Sequence, residues 1–166
     1  MQIDTFLARW RAAGGSERAN YQLFITDLCA LLEVAPPQPA NEDTRESAAS
    51  ASANVSGANV KPRSGGQSHN AYVFERRVVF HHGDGSTSNG FIDCYKRGSF
   101  IGEAKKIRAG AETRQFDDAL LRARGQAENY ARHLPADEGR PPFLVVLDVG
   151  NVIELYAEFT CTGGSY

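Results

Sequence analysis

The chain has 166 residues, the size of one domain, which excludes a complete multidomain enzyme. Hydrophobic residues make up 42% and charged residues 23%, so the chain can bury a core and is neither fibrous nor disordered as a whole. With 18 basic and 20 acidic residues the net charge is -2, which excludes a globally basic protein and restricts any nucleic-acid contact to a local patch.

Cysteine usage and the N-terminus indicate the compartment. Cys29, Cys94 and Cys161 are widely spaced and form no CxxC motif, so we predict neither a disulfide framework nor a cysteine-rich zinc site. Asp4 and Arg9 interrupt the first ten residues, which argues against an export signal, and no run of about 18 apolar residues predicts a membrane span. We therefore expect a cytoplasmic protein.

The first part of the chain is predicted to be helical over residues 1–34. Phe6 and Trp10 share one helical face, and a second apolar stripe comprises Tyr21, Phe24, Ile25, Leu28, Leu31 and Leu32. Residues 36–70 are rich in Ala, Ser, Asn, Gly and Pro and contain no Phe, Trp or Tyr, so burial cannot offset their ordering entropy. We divide the chain into N-terminal helices over 1–35, a flexible low-complexity insert over 36–70 and a core over 71–166.

The core begins with a predicted antiparallel meander. Residues 71–80 alternate as a strand, 81–90 form a polar glycine-rich turn, and two further strands follow around the Arg97–Gly98 turn. A helix is predicted over Arg114–His133 from its apolar spacing. Two aliphatic strands joined at Gly150–Asn151 complete the order, the first expected to be buried on both faces. This order predicts an α/β fold with a central mixed β-sheet flanked by helices.

The chemistry is concentrated in the second and third predicted strands. Glu103 and Lys105 are two residues apart and project to the same face of a strand, and counting back from the hairpin turn places Asp93 opposite Glu103. Two carboxylates can bind one hard cation, for which Mg²⁺ is suited. A lysine beside such a site can hold a phosphate or stabilise an attacking hydroxide, as phosphodiester hydrolysis requires.

These residues also carry a family resemblance. Asp93, nine residues and then Glu103-Ala104-Lys105 resemble the D-x(n)-ExK signature of the PD-(D/E)xK nuclease superfamily. Gln126 and Tyr130, four apart and therefore on one helical face, resemble the Q-x-x-x-Y element of RecB-like branches of that superfamily. The resemblance implies a restriction-endonuclease-like core and metal-dependent DNA cleavage.

A closer resemblance covers most of the chain outside the insert. ERANYQLFITDLCALLEV, NAYVFERRV, LLRARGQAENYARHLP and GRPPFLVVLDVGNVIELYAEF are similar to the N-terminal nuclease region of bacterial type IIG or IIL restriction-modification and phage-defence proteins, which fuse a nuclease to an adenine-specific DNA methyltransferase. No Asn-Pro-Pro-Tyr motif is present, so we expect this segment not to bind S-adenosylmethionine. The resemblance implies that DNA and the remainder of a longer chain are its partners; a homodimer is left open.

The resemblance assigns roles residue by residue. Asp93 and Glu103 would ligate Mg²⁺, or Mn²⁺ in its place, with the backbone carbonyl of Ala104 completing the protein ligands. Lys105 would position or activate the attacking water. Gln126 and Tyr130 would support the site from the helix. The superfamily often adds an acidic residue on its first core helix, and Glu17 matches that position as a further candidate for the metal site.

Basic residues near the motif are candidates for DNA contact. Between positions 104 and 133 the sequence contains seven basic and four acidic residues, a local net charge of +3. We predict phosphate contacts from Arg108, Arg114 and Arg124, because such contacts supply most non-specific DNA affinity.

The same residues are also compatible with other interpretations. Asp93, Glu103 and Lys105 could be a solvated hairpin with ordinary charge pairs, and the chain could be an inactive nuclease-like scaffold that docks DNA or a partner in a methylation-based defence system. His81 and His82 with Asp84 are interpreted as a solvated turn, because adjacent strand residues point to opposite sides.

Overall fold

The structure is a computed structural model that describes residues 1–14, 17–39, 71–162 and 164–166. In chain order the described elements are helices α1 (Ile3–Arg11) and α2 (Glu17–Leu31), strands β1 (Tyr72–His81), β2 (Thr87–Lys96) and β3 (Phe100–Lys105), helix α3 (Arg114–His133), a 3-10 turn (Ala136–Glu138), and strands β4 (Phe143–Asp148) and β5 (Val152–Ala157). This order and the α/β fold class agree with the sequence-based expectation.

The strands form one five-stranded sheet in the order β1-β2-β3-β4-β5. Every neighbouring pair is antiparallel except β3 and β4, which run parallel. A parallel pair needs a crossover connection, and α3 provides it. The predicted mixed sheet is therefore confirmed. Strand β4 is largely buried on both faces, as expected for a strand with helices on each side.

Helices cover both faces of the sheet. Helices α1 and α2 lie on one face, where the buried side chains include Phe6, Trp10, Phe24 and Cys29 from the helices and Cys94, Ala104 and Leu147 from the strands. Helix α3 lies on the other face, where the buried side chains include Ala123, Ala127 and Tyr130 from the helix and Ile92, Ile101, Leu144 and Val146 from the strands. The two layers fix the strands that carry the site.

Local sequence explains the bounds of α3. The Thr113 hydroxyl accepts a hydrogen bond from the Phe116 amide at 3.3 Å, which satisfies one of the unpaired donors at the helix start. Arg132 and His133 lie in the last turn, where positive charge is favoured by the helix dipole. The predicted bounds Arg114–His133 are those observed.

Two local predictions are wrong. The turn predicted over 81–90 is shorter, because His81 pairs with Thr87 and Phe80 with Ser88; cross-strand backbone bonds outweigh the low strand propensity of these polar residues. Leu32 was predicted to join the buried stripe of α2 but is 61% exposed. The helix ends at Leu31, and Glu33 adopts a φ of 57°, so Leu32 lies beyond the helical periodicity on which the prediction depended.

The beginning of the predicted insert contacts the sheet. The Gln38 amide donates to the Tyr72 carbonyl at 2.9 Å, and the Phe74 amide donates to the Gln38 carbonyl at 2.9 Å. Gln38 thus forms an isolated parallel bridge with Val73 on the edge strand β1. The remainder of the predicted insert, residues 40–70, lies outside the described residues.

Candidate functional site

The site lies where β2 separates from β3. The last backbone pair of that ladder is Cys94 with Gly102. Beyond this pair, a side chain links the two strands: the Asp93 Oδ2 accepts a hydrogen bond from the Ala104 amide at 2.8 Å. Asp93 is thereby held beside the strand segment that carries Glu103, as the hairpin count predicted.

Glu103 and Lys105 project together from β3. Glu103 is only 1% exposed, and the Lys105 Nζ lies 2.6 Å from its Oε1. The ammonium compensates part of the cost of burying the carboxylate, which is high for an isolated charge. The Lys105 side chain remains 26% exposed, so its charge can also act on a ligand in the solvent-facing part of the site.

Helix α3 supplies the opposite wall. The Gln126 Nε2 donates to the Tyr130 hydroxyl at 3.1 Å, as their i, i+4 spacing allows, and the Tyr130 ring stacks on Phe80 with centroids 5.7 Å apart. Burial raises the pKa of Tyr130; the Gln126 hydrogen bond lowers it, and the nearby Glu103 carboxylate raises it. Tyr130 is therefore a neutral phenol next to the buried carboxylate.

These side chains line one open cleft of about 410 Å³. The lining residues come from α2, β1, β2, β3 and α3, and they are Tyr21, Glu75, Asn89, Gly90, Phe91, Asp93, Glu103, Lys105, Gln126 and Tyr130. All five residues predicted to be catalytic are among them. The structure thus brings these five residues into one cleft, although the first and the last, Asp93 and Tyr130, are 37 positions apart in the sequence.

One aromatic and one acidic residue of the cleft, Tyr21 and Glu75, were missed by sequence reasoning. Tyr21 was assigned to the apolar stripe of α2, and its ring is buried, but its hydroxyl donates to Glu75 Oε1 in the cleft. Glu75 adopts a φ of 54° in the middle of β1, which is uncommon for a non-glycine residue and costs free energy. Strand alternation gives no signal for such a conformation.

Gly90 was also missed, because the predicted turn over 81–90 included it, whereas the structure places it inside β2. A glycine inside a strand is a sign of close approach. A Cβ at this position would lie 2.5 Å from Tyr130 Cε1 and 2.6 Å from Phe80 Cε2. The absence of a side chain therefore lets the two stacked rings lie against β2. This packing sets the position of Tyr130 in the cleft.

The donor set fits a hard divalent cation. Asp93 and Glu103 offer carboxylate oxygens in the same cleft, the ligands that Mg²⁺ prefers, and the predicted third protein ligand is the backbone carbonyl of Ala104. Within the described ranges, no group of three or more His, Cys, Asp or Glu side chains is arranged to hold a metal ion. Of the predicted acidic ligands, Asp93 and Glu103 line the cleft, whereas the Glu17 side chain lies outside the described part of the chain. The metal stays a prediction.

The remaining predicted site residues lie elsewhere. Arg108 is exposed in the loop after β3, and Arg114 is exposed at the start of α3. Arg124 contacts Glu128 Oε1 at 3.0 Å, and its Cζ lies 4.4 Å from the centroid of the Tyr156 ring. The DNA contacts of these arginines stay predictions. So does the role of Glu17, which begins α2 but whose side chain lies outside the part of the chain that is described.

The histidine-containing turn is exposed, as predicted. Asp84 Oδ1 accepts hydrogen bonds from the Ser86 amide at 2.9 Å and the Ser86 hydroxyl at 2.7 Å. His82 Nε2 lies 2.9 Å from the Ser88 hydroxyl. These contacts are local turn interactions.

Comparison with known protein families adds to this geometry. A family model described as the N-terminal domain of MmeI, a type IIG restriction enzyme, matches residues 1–162. The chain belongs to the MmeI N-terminal domain family. No curated protein and no solved structure matches the chain significantly.

Membership of the MmeI N-terminal domain family confirms the expectation of a restriction-enzyme N-terminal module. The match also spans residues 36–70, which interrupt the resemblance noted in the sequence. Assignment to the PD-(D/E)xK superfamily and the roles of individual residues stay predictions. Among the residues that the structure describes, no helix is long and apolar enough to cross a membrane.

Proposed function

We propose that the chain is a metal-dependent DNA endonuclease module that hydrolyses phosphodiester bonds. It would act as the N-terminal cleavage module of a restriction-modification or phage-defence protein, whose other regions recognise the target. One observation carries the proposal: Asp93, Glu103 and Lys105 converge on one cleft in a chain of the MmeI N-terminal domain family.

The carboxylates define where a cation would be held. Asp93 is oriented by the Ala104 amide and Glu103 by the Lys105 ammonium, so neither side chain needs to be ordered on binding, which favours affinity. The Ala104 carbonyl would complete the protein ligands. A divalent cation held there would supply Lewis-acid stabilisation of phosphoryl oxygens and would activate water.

The chain's own residues account for the rest of the chemistry. The Lys105 ammonium faces the cleft and would stabilise the negative charge that develops on the phosphoryl oxygens, as fixed charges do in low-dielectric sites. Tyr130 is held by Phe80 and by the Gln126 amide, which orient its phenol in the wall that α3 forms. Gln126 is exposed at this wall and would orient the substrate through its amide group.

The decisive variant is Lys105→Ala. We expect it to lower Mg²⁺-dependent nicking of supercoiled DNA by at least about 100-fold, because losing one charge-stabilising group commonly costs this much. The matched control is Lys96→Ala, which removes a lysine from β2 that contacts the Tyr72 ring outside the cleft lining. Circular dichroism checks that both variants are folded. Wild-type nicking by Lys105→Ala would refute the proposal.

Metal binding distinguishes a nuclease from an inactive scaffold. Calorimetry with Mg²⁺ or Mn²⁺ is expected to show binding that Asp93→Asn weakens. A protein that neither binds the cation nor nicks DNA, and that Asp93→Asn stabilises, would be the scaffold. We further expect the 166-residue chain to bind DNA weakly, without sequence preference and with strong salt dependence; tight sequence-specific binding would contradict this.

A further inference from the structure

The carboxyl ends of β3 and β4 lie at the same edge of the sheet. The two strands run parallel, and their last paired residues are Lys105 and Asp148. Asp148 is completely buried, at 0% exposure. Burying a carboxylate is costly unless hydrogen bonds satisfy it, so its contacts indicate what the residue does.

Asp148 joins two segments of the chain. Its Oδ1 accepts a hydrogen bond from the Ile107 amide at 2.9 Å, and its Oδ2 accepts one from the Asn151 Nδ2 at 2.7 Å. The Val149 amide donates to the Lys105 carbonyl at 3.0 Å. The last residue of β4 and the residue that follows it therefore hold the chain at Ile107 and at Lys105.

The Ile107–Asp148 hydrogen bond satisfies a backbone donor just beyond the end of β3. Strand β3 ends at Lys105, so the Ile107 amide has no place in a strand ladder and would need another acceptor. Asp148 supplies that acceptor at the start of the connection to α3. The direction in which the chain leaves β3 also sets the backbone that carries the Lys105 side chain.

We propose that Asp148 is a positioning residue for the cleavage reaction. This inference rests on the proposed function. By holding Ile107, Asp148 fixes the backbone from Lys105 onward and thus the place of the Lys105 ammonium beside Glu103. Displacing a catalytic group by about 1 Å can cost 100-fold in rate, so losing this contact acts on the reaction without touching the substrate.

The test replaces the Asp148 carboxylate by an amide and then exchanges its partner Asn151 to restore the hydrogen bond. In Asp148→Asn, an amide nitrogen faces either the Ile107 amide or the Asn151 Nδ2, so two donors oppose each other. We expect kcat for nicking to fall roughly 10- to 100-fold with KM for DNA unchanged. Adding Asn151→Asp restores a donor–acceptor pair, and the double exchange is expected to recover most of the lost kcat.

Hydrogen exchange provides a readout that is independent of activity. The Ile107 amide is expected to exchange faster in Asp148→Asn and to regain protection in the double exchange, while the Leu144 amide within β4 keeps its protection. The matched control is Asp137→Asn, whose side chain is 78% exposed; kcat and Ile107 exchange should both match the wild type. If Asp148→Asn does not fold, Asn151→Ala removes the support of Oδ2 alone, and we expect it to lower kcat.

The outcomes separate this inference from the proposed function. Nicking by Lys105→Ala at the wild-type rate would refute the proposed function and this inference with it. An inactive Lys105→Ala together with a folded Asp148→Asn of wild-type kcat would refute only the role of Asp148. The same conclusion would follow if the double exchange failed to restore kcat, or if Asn151→Ala kept wild-type kcat when Asp148→Asn cannot be folded.

Discussion

The Tyr21 hydroxyl on α2 donates a hydrogen bond to Glu75 Oε1 on β1, 54 positions further along the chain. Burial raises the pKa of Tyr21, and the Glu75 carboxylate raises it further, against the opposing effect of the Gln22 hydrogen bond. Both residues line the candidate site. The Tyr21–Glu75 hydrogen bond therefore links α2 to β1 at the edge of the cleft.

Tyr21→Phe tests this bond. The ring and its edge contact with Phe74, at 6.0 Å between centroids, are retained, while Glu75 loses its donor. We expect the free energy of unfolding to fall by about 1–3 kcal/mol, the usual cost of removing one partner from a hydrogen bond to a charged group. Urea denaturation measures it. Tyr156→Phe, which removes a hydroxyl bonded to Glu154 on the edge strand, should have a smaller effect; equal losses would contradict a special role for Tyr21.

Gly90→Ala tests the packing of the site wall. The new methyl group would lie 2.5 Å from Tyr130 Cε1 and 2.6 Å from Phe80 Cε2, so the rings must move. Overpacking of this kind lowers the free energy of unfolding by about 1–3 kcal/mol, and we expect nicking activity to fall as Tyr130 shifts.

The control is Gly125→Ala in α3, where nothing lies within 4 Å of the added methyl group. Removing a helix-interior glycine should stabilise the protein by about 1 kcal/mol. If Gly90→Ala behaved like Gly125→Ala, the close approach would be disproved.

Glu138→Gln tests a buried ion pair away from the cleft. Arg76 Nη2 lies 2.5 Å from Glu138 Oε1, with side-chain exposures of 5% and 10%, and the Tyr95 hydroxyl donates to Glu138 Oε2 at 2.6 Å. Neutralising Glu138 leaves the arginine charge poorly compensated, which typically costs about 3–5 kcal/mol. Asp137→Asn, at the exposed pair with Arg97, should cost no more than about 1 kcal/mol. Thermal and urea unfolding compare the two; similar effects would mean that Glu138 is solvated in solution.

Alkaline pH should destabilise the protein through its tyrosines. The pKa is raised for all six, namely Tyr21, Tyr72, Tyr95, Tyr130, Tyr156 and Tyr166, with burial as the largest cause. For Tyr166 the pKa is raised to about 12. The folded state therefore holds these protons more tightly than the unfolded state. This contribution to stability is complete below the ordinary phenol pKa of about 10 and is lost as pH rises through the folded-state values.

Phenolate absorbance measured together with urea midpoints from about pH 9 to 12 checks the tyrosine prediction. We expect little ionisation near pH 10 and a rise that accompanies unfolding. Tyr166→Phe should flatten the pH dependence of the urea midpoint. Titration of most phenols near pH 10 without loss of structure would show that the rings are accessible to solvent.

Local sequence patterns predicted much of the fold. The helix Arg114–His133 was predicted at its observed bounds, because apolar spacing is a pattern that acts within a few residues. The hairpin count placed Asp93 beside β3 for the same reason: a tight turn sets the register of its two strands. Gln126 and Tyr130 were paired by helical spacing alone, and the observed hydrogen bond between them agrees.

Tertiary structure decided the rest of the site. Local periodicity alone shows which residues share a strand face or a helix face, because these relations depend only on the backbone repeat. It could not show that Tyr21 meets Glu75, or that Asp148 holds Ile107 from 41 positions away. Both contacts depend on how separate layers pack, and Glu75 also needs a backbone conformation that only its surroundings stabilise. The sequence thus determined the chemical groups of the cleft, and the packing of α2, β1 and β4 around β3 decided which residues hold them in place.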